Sequence, residues 1–210
     1  MIITVAHQKG GVGKSTIAVN LAVEMQVPII DLDSQHSCYL FSKIREREQG
    51  KLLQVFTPET LEDIKTILQE RKNEKLLIDS GGYDNDLNRF ALVVSDMVIT
   101  PVSPSQIEIF GLQKFEKVVE KARKYNPNLN VYVLINNADA RSLSEIIELK
   151  KFVESSPTFK IFNSKIFRRV DYKRSYQNGL SVCEYNPNSK ACREIKTLIK
   201  EIDSLIVSDM

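Results

Sequence analysis

Lysine stands at both ends of a glycine cluster in Lys9-Gly10-Gly11-Val12-Gly13-Lys14-Ser15-Thr16. Residues of these types at this spacing suit polyphosphate chemistry. Glycines let a backbone curl until successive N–H groups converge on one anion, and the ammonium group that follows neutralises phosphate oxygens. On that reading Gly10, Gly11, Val12 and Gly13 cradle a nucleotide's phosphates, with Thr16 at the far end of the loop. Lys14 reaches the β- and γ-phosphates, and the Ser15 hydroxyl sits on Mg²⁺. Further along, the apolar run Leu76-Leu77-Ile78 delivers Asp79, a carboxylate that can hold the metal through water. ATP and Mg²⁺ are the expected cofactors.

Such a loop must follow a strand and open a helix, and the surrounding pattern supplies both. Near-continuous apolar runs at 2–6, 27–33, 75–80, 96–102 and 131–136 read as strands buried on both faces of a parallel sheet. A helix starting near Lys14 would add its positive dipole end to the loop. A second is expected over 57–72, with Thr57 as cap, Pro58 in the first position and Leu61, Ile64 and Leu68 as its buried stripe. A third, over 111–125, buries Leu112, Phe115, Val119 and Ala122, and a last, from about Ala191, buries Ile195, Leu198, Ile202 and Leu205. Strands alternating with helices predict a doubly wound α/β fold, a mostly parallel sheet flanked by helices. No repeat, low-complexity tract or linker divides it, so residues 1–210 are expected to form a single P-loop ATPase domain.

The strict Walker pattern G-x-x-x-x-G-K-[ST] is not met, because Gln8 occupies the place of its first glycine. With K-G-G-V-G-K-S-T in its place, the chain resembles the deviant Walker A ATPases of the ParA/MinD family. The resemblance runs from Ile2 to about Ile202. It implies that Lys9 reaches across a dimer interface to the partner's nucleotide, making an ATP-bound homodimer. The family's D-x-D-P-Q run takes the form D-L-D-S-Q in this chain, with Ser34 replacing the proline. By that match Asp33 would position the attacking water and Asp31 would lie near the Mg²⁺ shell. Gly81 and Gly82 follow Asp79 where relatives often carry D-x-x-P, which suggests a mobile switch loop. The run 95–112 matches a strand that ends in a proline-containing loop before a Gly-Leu helix. Asn136, or else Asn137, stands where relatives place an asparagine against adenine.

A formal charge of +2 over 210 residues leaves nucleic-acid affinity to a local patch. One is present at 164–179, where Lys165, Arg168, Arg169, Lys173 and Arg174 face one acid, Asp171. Such a patch can track a phosphate backbone without reading bases, or form a solvated face, or lend one arginine to a nucleotide's edge. The small partition ATPases that the chain resembles lack an N-terminal DNA-reading domain and bind nonspecific DNA through C-terminal basic residues, and nothing precedes the first strand in this sequence. The N–G–L–S–V–C–E–Y run at 178–185 matches the family's G-x-S-V-x-E. A ParB-like centromere-binding or adaptor protein is the implied partner, and slow hydrolysis is expected without it. The cargo would be a plasmid, a chromosome or another body.

Other function classes fit less well. Cys38, Cys183 and Cys192 are too scattered for an iron–sulfur carrier and show no disulfide framework, so a reducing cytoplasm is expected, and the family resemblance implies association with the nucleoid there. No apolar run approaches a membrane span. The final stretch carries Glu201, Asp203 and Asp209, which suits an anionic membrane poorly and argues against a MinD-like anchor. A small-molecule kinase would have no use for Lys9 or the D-L-D-S-Q run. A scaffold that binds nucleotide with negligible turnover is the remaining alternative.

Overall fold

The strand-length apolar runs assemble into one sheet because each must hide both faces. In the computed structural model, which describes residues 1–82, 85–139, 141 and 143–208, the strands are β1 (Ile2–Val5), β2 (Ile29–Asp31), β3 (Val55–Phe56), β4 (Leu76–Asp79), β5 (Met97–Val102), β6 (Asn130–Ala138) and β7 (Lys160–Phe167). They pair in parallel in the order β3-β2-β4-β1-β5-β6-β7. Asp209, one of the acids at the chain end, lies outside the described residues. The connecting helices are α1 (Lys14–Met25), α2 (Ser37–Gln49), α3 (Leu61–Glu70), α4 (Asp86–Val94), α5 (Gln106–Arg123), α6 (Leu143–Ser155), α7 (Val170–Gln177), α8 (Val182–Tyr185) and α9 (Lys190–Ser208).

Alternate strand residues go to opposite faces. Ile3, Val5, Ile29, Leu77 and Ile99 pack with Ile17 and Leu21 of α1 and with Ile195, Leu198 and Ile202 of α9. On the other face Val98, Val131, Val133 and Ile135 meet Leu112, Phe115 and Val119 of α5 and Leu149 and Val153 of α6. Ile30 and Ile78 meet Ile64 of α3 and Ala91 of α4. The stripe expected on the last helix is thus spent on the core, and among the described residues no helix is long and apolar enough to cross a membrane. β1 is central, with β4, β2 and β3 on one side and β5, β6 and β7 on the other. That is the topological switch point where the carboxyl ends of parallel strands leave a crevice. The loops after β1, β2, β4, β5 and β6 all open there.

Local chemistry moves some boundaries. The helix expected to start at Pro58 starts at Leu61, because Thr60 and Asp63 form a capping box. The Asp63 N–H donates to Thr60 Oγ1 at 3.1 Å and the Thr60 N–H to Asp63 Oδ2 at 2.9 Å. Such reciprocal capping satisfies two orphan donors and beats Thr57, which has no acid three residues on. α5 begins five residues earlier than expected, and Gly111 lies inside it: a Cβ there would stand 3.3 Å from Cε1 of His7.

The expectation of no disulfide is corrected. Cys183 of α8 and Cys192 of α9 are bonded, the tight turn between the helices bringing their Cα atoms within 4.5 Å. Cys38 is free and buried.

Candidate nucleotide site

The chain leaves β1 at Val5 and turns through the glycine loop into α1. Gly13 caps α1 at φ 93°, with no side chain capping the helix, so the first-turn N–H groups face the crevice unclaimed by any side chain. A Cβ at Gly13 would collide with Nδ2 of Asn136. That amide is buried and donates to the Val12 carbonyl at 2.7 Å. Asn136 therefore braces the loop from β6, while Asn137, exposed and at φ 52°, also lines the cleft. Gly82 supplies a second close approach, since a Cβ there would stand 3.2 Å from the Gly10 nitrogen. Gly82 can thus lie against the phosphate loop because it has no side chain.

The two lysines of the loop face different ways. Lys14 is 5% exposed and donates to the carbonyl of Lys9 at 3.3 Å. Burial lowers its pKa, opposed by the charges of Asp79 and Asp33. The side chain of Lys9 is 45% exposed and pairs with Glu108 of α5. The Lys9 N–H donates to Nδ1 of His7 at 3.0 Å. His7 is itself buried against Phe115, and burial, then Lys14 and Lys9, press its pKa down to about 4, so the ring is neutral near pH 7. Neither His7 nor Glu108 stood out in the sequence, because each acts through a neighbour that only the fold supplies.

Asp31 and Asp79 end adjacent strands in direct register. Both are fully buried. Asp31 accepts the N–H groups of Tyr39 at 3.1 Å and Asp33 at 3.2 Å. Asp79 accepts from the Cys38 thiol at 3.2 Å through Oδ2, while Oδ1 has no hydrogen-bond partner. Burial raises the pKa of Asp31. It pushes that of Asp79 up to about 7, against the pull of the Ser15 hydroxyl and with the charge of Asp31 adding to the rise. Two buried carboxylates side by side, one with an orphaned oxygen, fit a hard divalent cation beside Ser15. Cys38 joins them, its ligand atom within 4.8 Å of theirs; no spacing in the sequence tied it to either aspartate. Asp33 lies nearer solvent, its Oδ1 accepting from the Gln35 N–H at 3.0 Å.

One cleft of about 730 Å³ joins Gly10 through Ile17, Asp33, Asn136 and Asn137 to the start of α7, within the ~300–1,000 Å³ usual for ligand sites. Of the five basic-patch residues, Arg168, Arg169 and Lys173 line this cleft. Arg169 gives both Nε (2.8 Å) and Nη2 (2.6 Å) to Glu194 of α9. Lys165 is half-buried on β7 and Arg174 exposed on α7. Three cations of the patch thus stand at the mouth that a triphosphate would enter.

Comparison with known proteins agrees with this architecture. The chain is 22% identical over 207 residues to the maintenance of carboxysome distribution protein A of Halothiobacillus neapolitanus, with 95% of each chain covered. It is 23% identical over 253 residues to the sporulation initiation inhibitor protein Soj of Bacillus subtilis, covering 96% of this chain and 97% of Soj. Its fold matches a plasmid partition protein from Borrelia burgdorferi bound to AMPPNP, at a TM-score of 0.74 and 22% identity over 97% of this chain and 98% of that one. Residues 3–182 match one family throughout, and the chain is a member of it: the CobQ/CobB/MinD/ParA nucleotide binding domain family.

Proposed function

We propose that this protein is a ParA-type ATPase that closes as a homodimer around two ATP molecules, holds DNA nonspecifically in that state and positions a plasmid or chromosome with a ParB-like adaptor. The observation that carries this reading is the division of labour between the two lysines. Lys14 points into its own cleft and Lys9 stands half-exposed outside it.

The residues support a phosphoryl-transfer site that works by placement. Backbone N–H groups from Gly10 to Ser15 bind and orient the triphosphate. Lys14 exchanges the Lys9 carbonyl for β- and γ-phosphate oxygens. Lys9 of a second copy neutralises the same triphosphate from outside and excludes water. Asp33 accepts a hydrogen bond from the attacking water and so orients it, while Asn136 keeps the loop in shape. The Ser15 hydroxyl, with Asp31 and Asp79 around it, would hold Mg²⁺, which supplies charge neutralisation on the phosphates. Turnover is slow until the adaptor stimulates it; an arginine supplied in trans contributes about 10³–10⁵-fold in related systems. The protein then works in the cytoplasm, on the nucleoid. The carboxysome-distribution relative favours a second reading in which the same cycle moves a protein body in place of a DNA element.

Co-sedimentation with random-sequence DNA under ATP, ADP or no nucleotide tests this. Retention is expected with ATP only, weakening with salt at a log–log slope of about −0.9 per phosphate contacted. Arg168→Glu with Arg169→Glu should abolish retention; nucleotide affinity is measured alongside, because both residues line the cleft. Retention independent of nucleotide would refute the DNA cycle. Nucleotide binding without turnover, with or without DNA and adaptor, would reduce the protein to a scaffold.

A further inference from the structure

Glu108 is an unusual neighbour for Lys9. It lies in the first turn of α5, and its side chain is only 9% exposed. One carboxylate oxygen accepts from the Lys9 ammonium group; the other is buried with no hydrogen-bond partner. The rest of the junction is equally close. The Lys9 N–H bonds to His7, and His7 packs against Phe115 at 5.8 Å between ring centres and against Gly111, both on α5. The start of α5 and the phosphate loop are therefore one packed unit, with the Lys9–Glu108 pair as its charged clasp.

An ammonium group committed to a carboxylate of its own chain is not free for a phosphate of another. Withdrawing it would also leave Glu108 as an unpaired charge in a place that water barely reaches, so crossing competes with a contact that the free subunit keeps. We propose that Glu108 is a positioning residue that holds Lys9 in cis in the free subunit and thereby sets the ATP concentration at which two copies join. This rests on the cross-subunit reading of Lys9. The γ-phosphate, which ADP lacks, is the anion that takes Lys9 of the other copy from Glu108.

The test is sedimentation velocity over an ATP series for the unmodified protein, Glu108→Gln, Lys9→Ala and the double variant, with circular-dichroism melts as the folding check. Gln keeps the shape and removes the charge. Each dimer opens two clasps and binds two ATP molecules, so the half-point in ATP should fall by the worth of one clasp, roughly two- to fivefold in Glu108→Gln. The affinity of the monomer for a fluorescent ADP analogue should stay unchanged. Lys9→Ala should stay monomeric at every ATP concentration, and adding Glu108→Gln should not restore the dimer, because the clasp acts only through Lys9. Should Glu108→Gln melt early, Glu108→Asp, one methylene short of Lys9, must shift the half-point in the same direction. An unchanged or higher ATP requirement in Glu108→Gln overturns the clasp, as does a double variant that dimerises where Lys9→Ala does not. Normal dimers of Lys9→Ala would instead overturn the crossing itself.

Discussion

Asp79→Asn should stabilise this protein while disabling its metal chemistry. Asp79 is fully buried beside Asp31, and burial first, then the Asp31 charge, push its pKa from 3.8 to about 7. An acid whose folded pKa lies above its unfolded one destabilises as it ionises. Below pH 3.8 the carboxyl is protonated in both states and the stability is fully present. As pH rises through 3.8 towards 7, the unfolded chain gives up its proton first, and stability is lost until the folded carboxyl ionises too. The shift is about three units at about 1.4 kcal/mol each, or about 4 kcal/mol above pH 7. At roughly 2–4 °C per kcal/mol for a domain of this size, that is about 8–16 °C in Tm. An amide never ionises and escapes the loss. His7 works in the opposite direction, its pKa held down to about 4, so that stability falls as pH drops from 6.5 towards 4. His7 is present in both proteins and cancels in their difference. Melts from pH 4 to 8, in a chelator and without nucleotide, should therefore show a Tm gain for the variant that is near zero at pH 4 and reaches its plateau by pH 8. Stabilisation of the variant by ATP should no longer depend on Mg²⁺. A difference independent of pH would refute the argument that burial of Asp79 is held in reserve for a cation.

Gly13→Ala forces a side chain onto φ 93° and into Asn136. It should cost about 2–3 kcal/mol in a melt, from left-handed backbone strain and the lost amide bond to Val12, and should weaken nucleotide binding. Adding Asn136→Ala should cost less than the sum of the two, because it removes the collision. Between α2 and α8, Arg45 is buried and holds Glu184 through Nη1 (2.6 Å) and Nη2 (2.9 Å). Arg45→Ala leaves that carboxylate without its main partner and should cost about 3–5 kcal/mol, with Glu184→Gln recovering part of it. Burial alone would raise the pKa of Glu184, but Arg45, the Ser181 N–H and Lys51 bring it down to about 2. The pair's contribution should therefore be present above pH 4.5 and disappear between 4.5 and 2, which a pH series of melts checks directly.

What could be read in the sequence follows physical scale. The five long apolar runs became β1, β2, β4, β5 and β6, because burial on both faces leaves no room for polar residues. β3 is two residues long, and β7 is an edge strand that alternates buried Phe162, Ser164 and Ile166 with more exposed Asn163 and Lys165. Its last residues open the run 164–179 that read as a basic patch, of whose five cations only Lys165 lies on the strand. The phosphate loop was legible because its chemistry is encoded in consecutive residues. The pairing of Asp31 with Asp79 needed sheet register, the approach of Cys38 to Asp79 needed α2, and the contact of Lys9 with Glu108 spans 99 positions. The Cys183–Cys192 bond escaped for a similar reason: cysteines nine positions apart form a disulfide only if a turn folds the chain back.

The central claim is that each copy lends Lys9 to the other's triphosphate, and the most direct measurement is the mass of the protein in solution with Mg²⁺ and a nonhydrolysable ATP analogue. The unmodified chain should sediment as a dimer with the analogue and as a monomer with ADP. Lys9→Ala should bind the analogue measurably and remain monomeric. A Lys9→Ala protein that dimerises as readily as its parent would contradict the account.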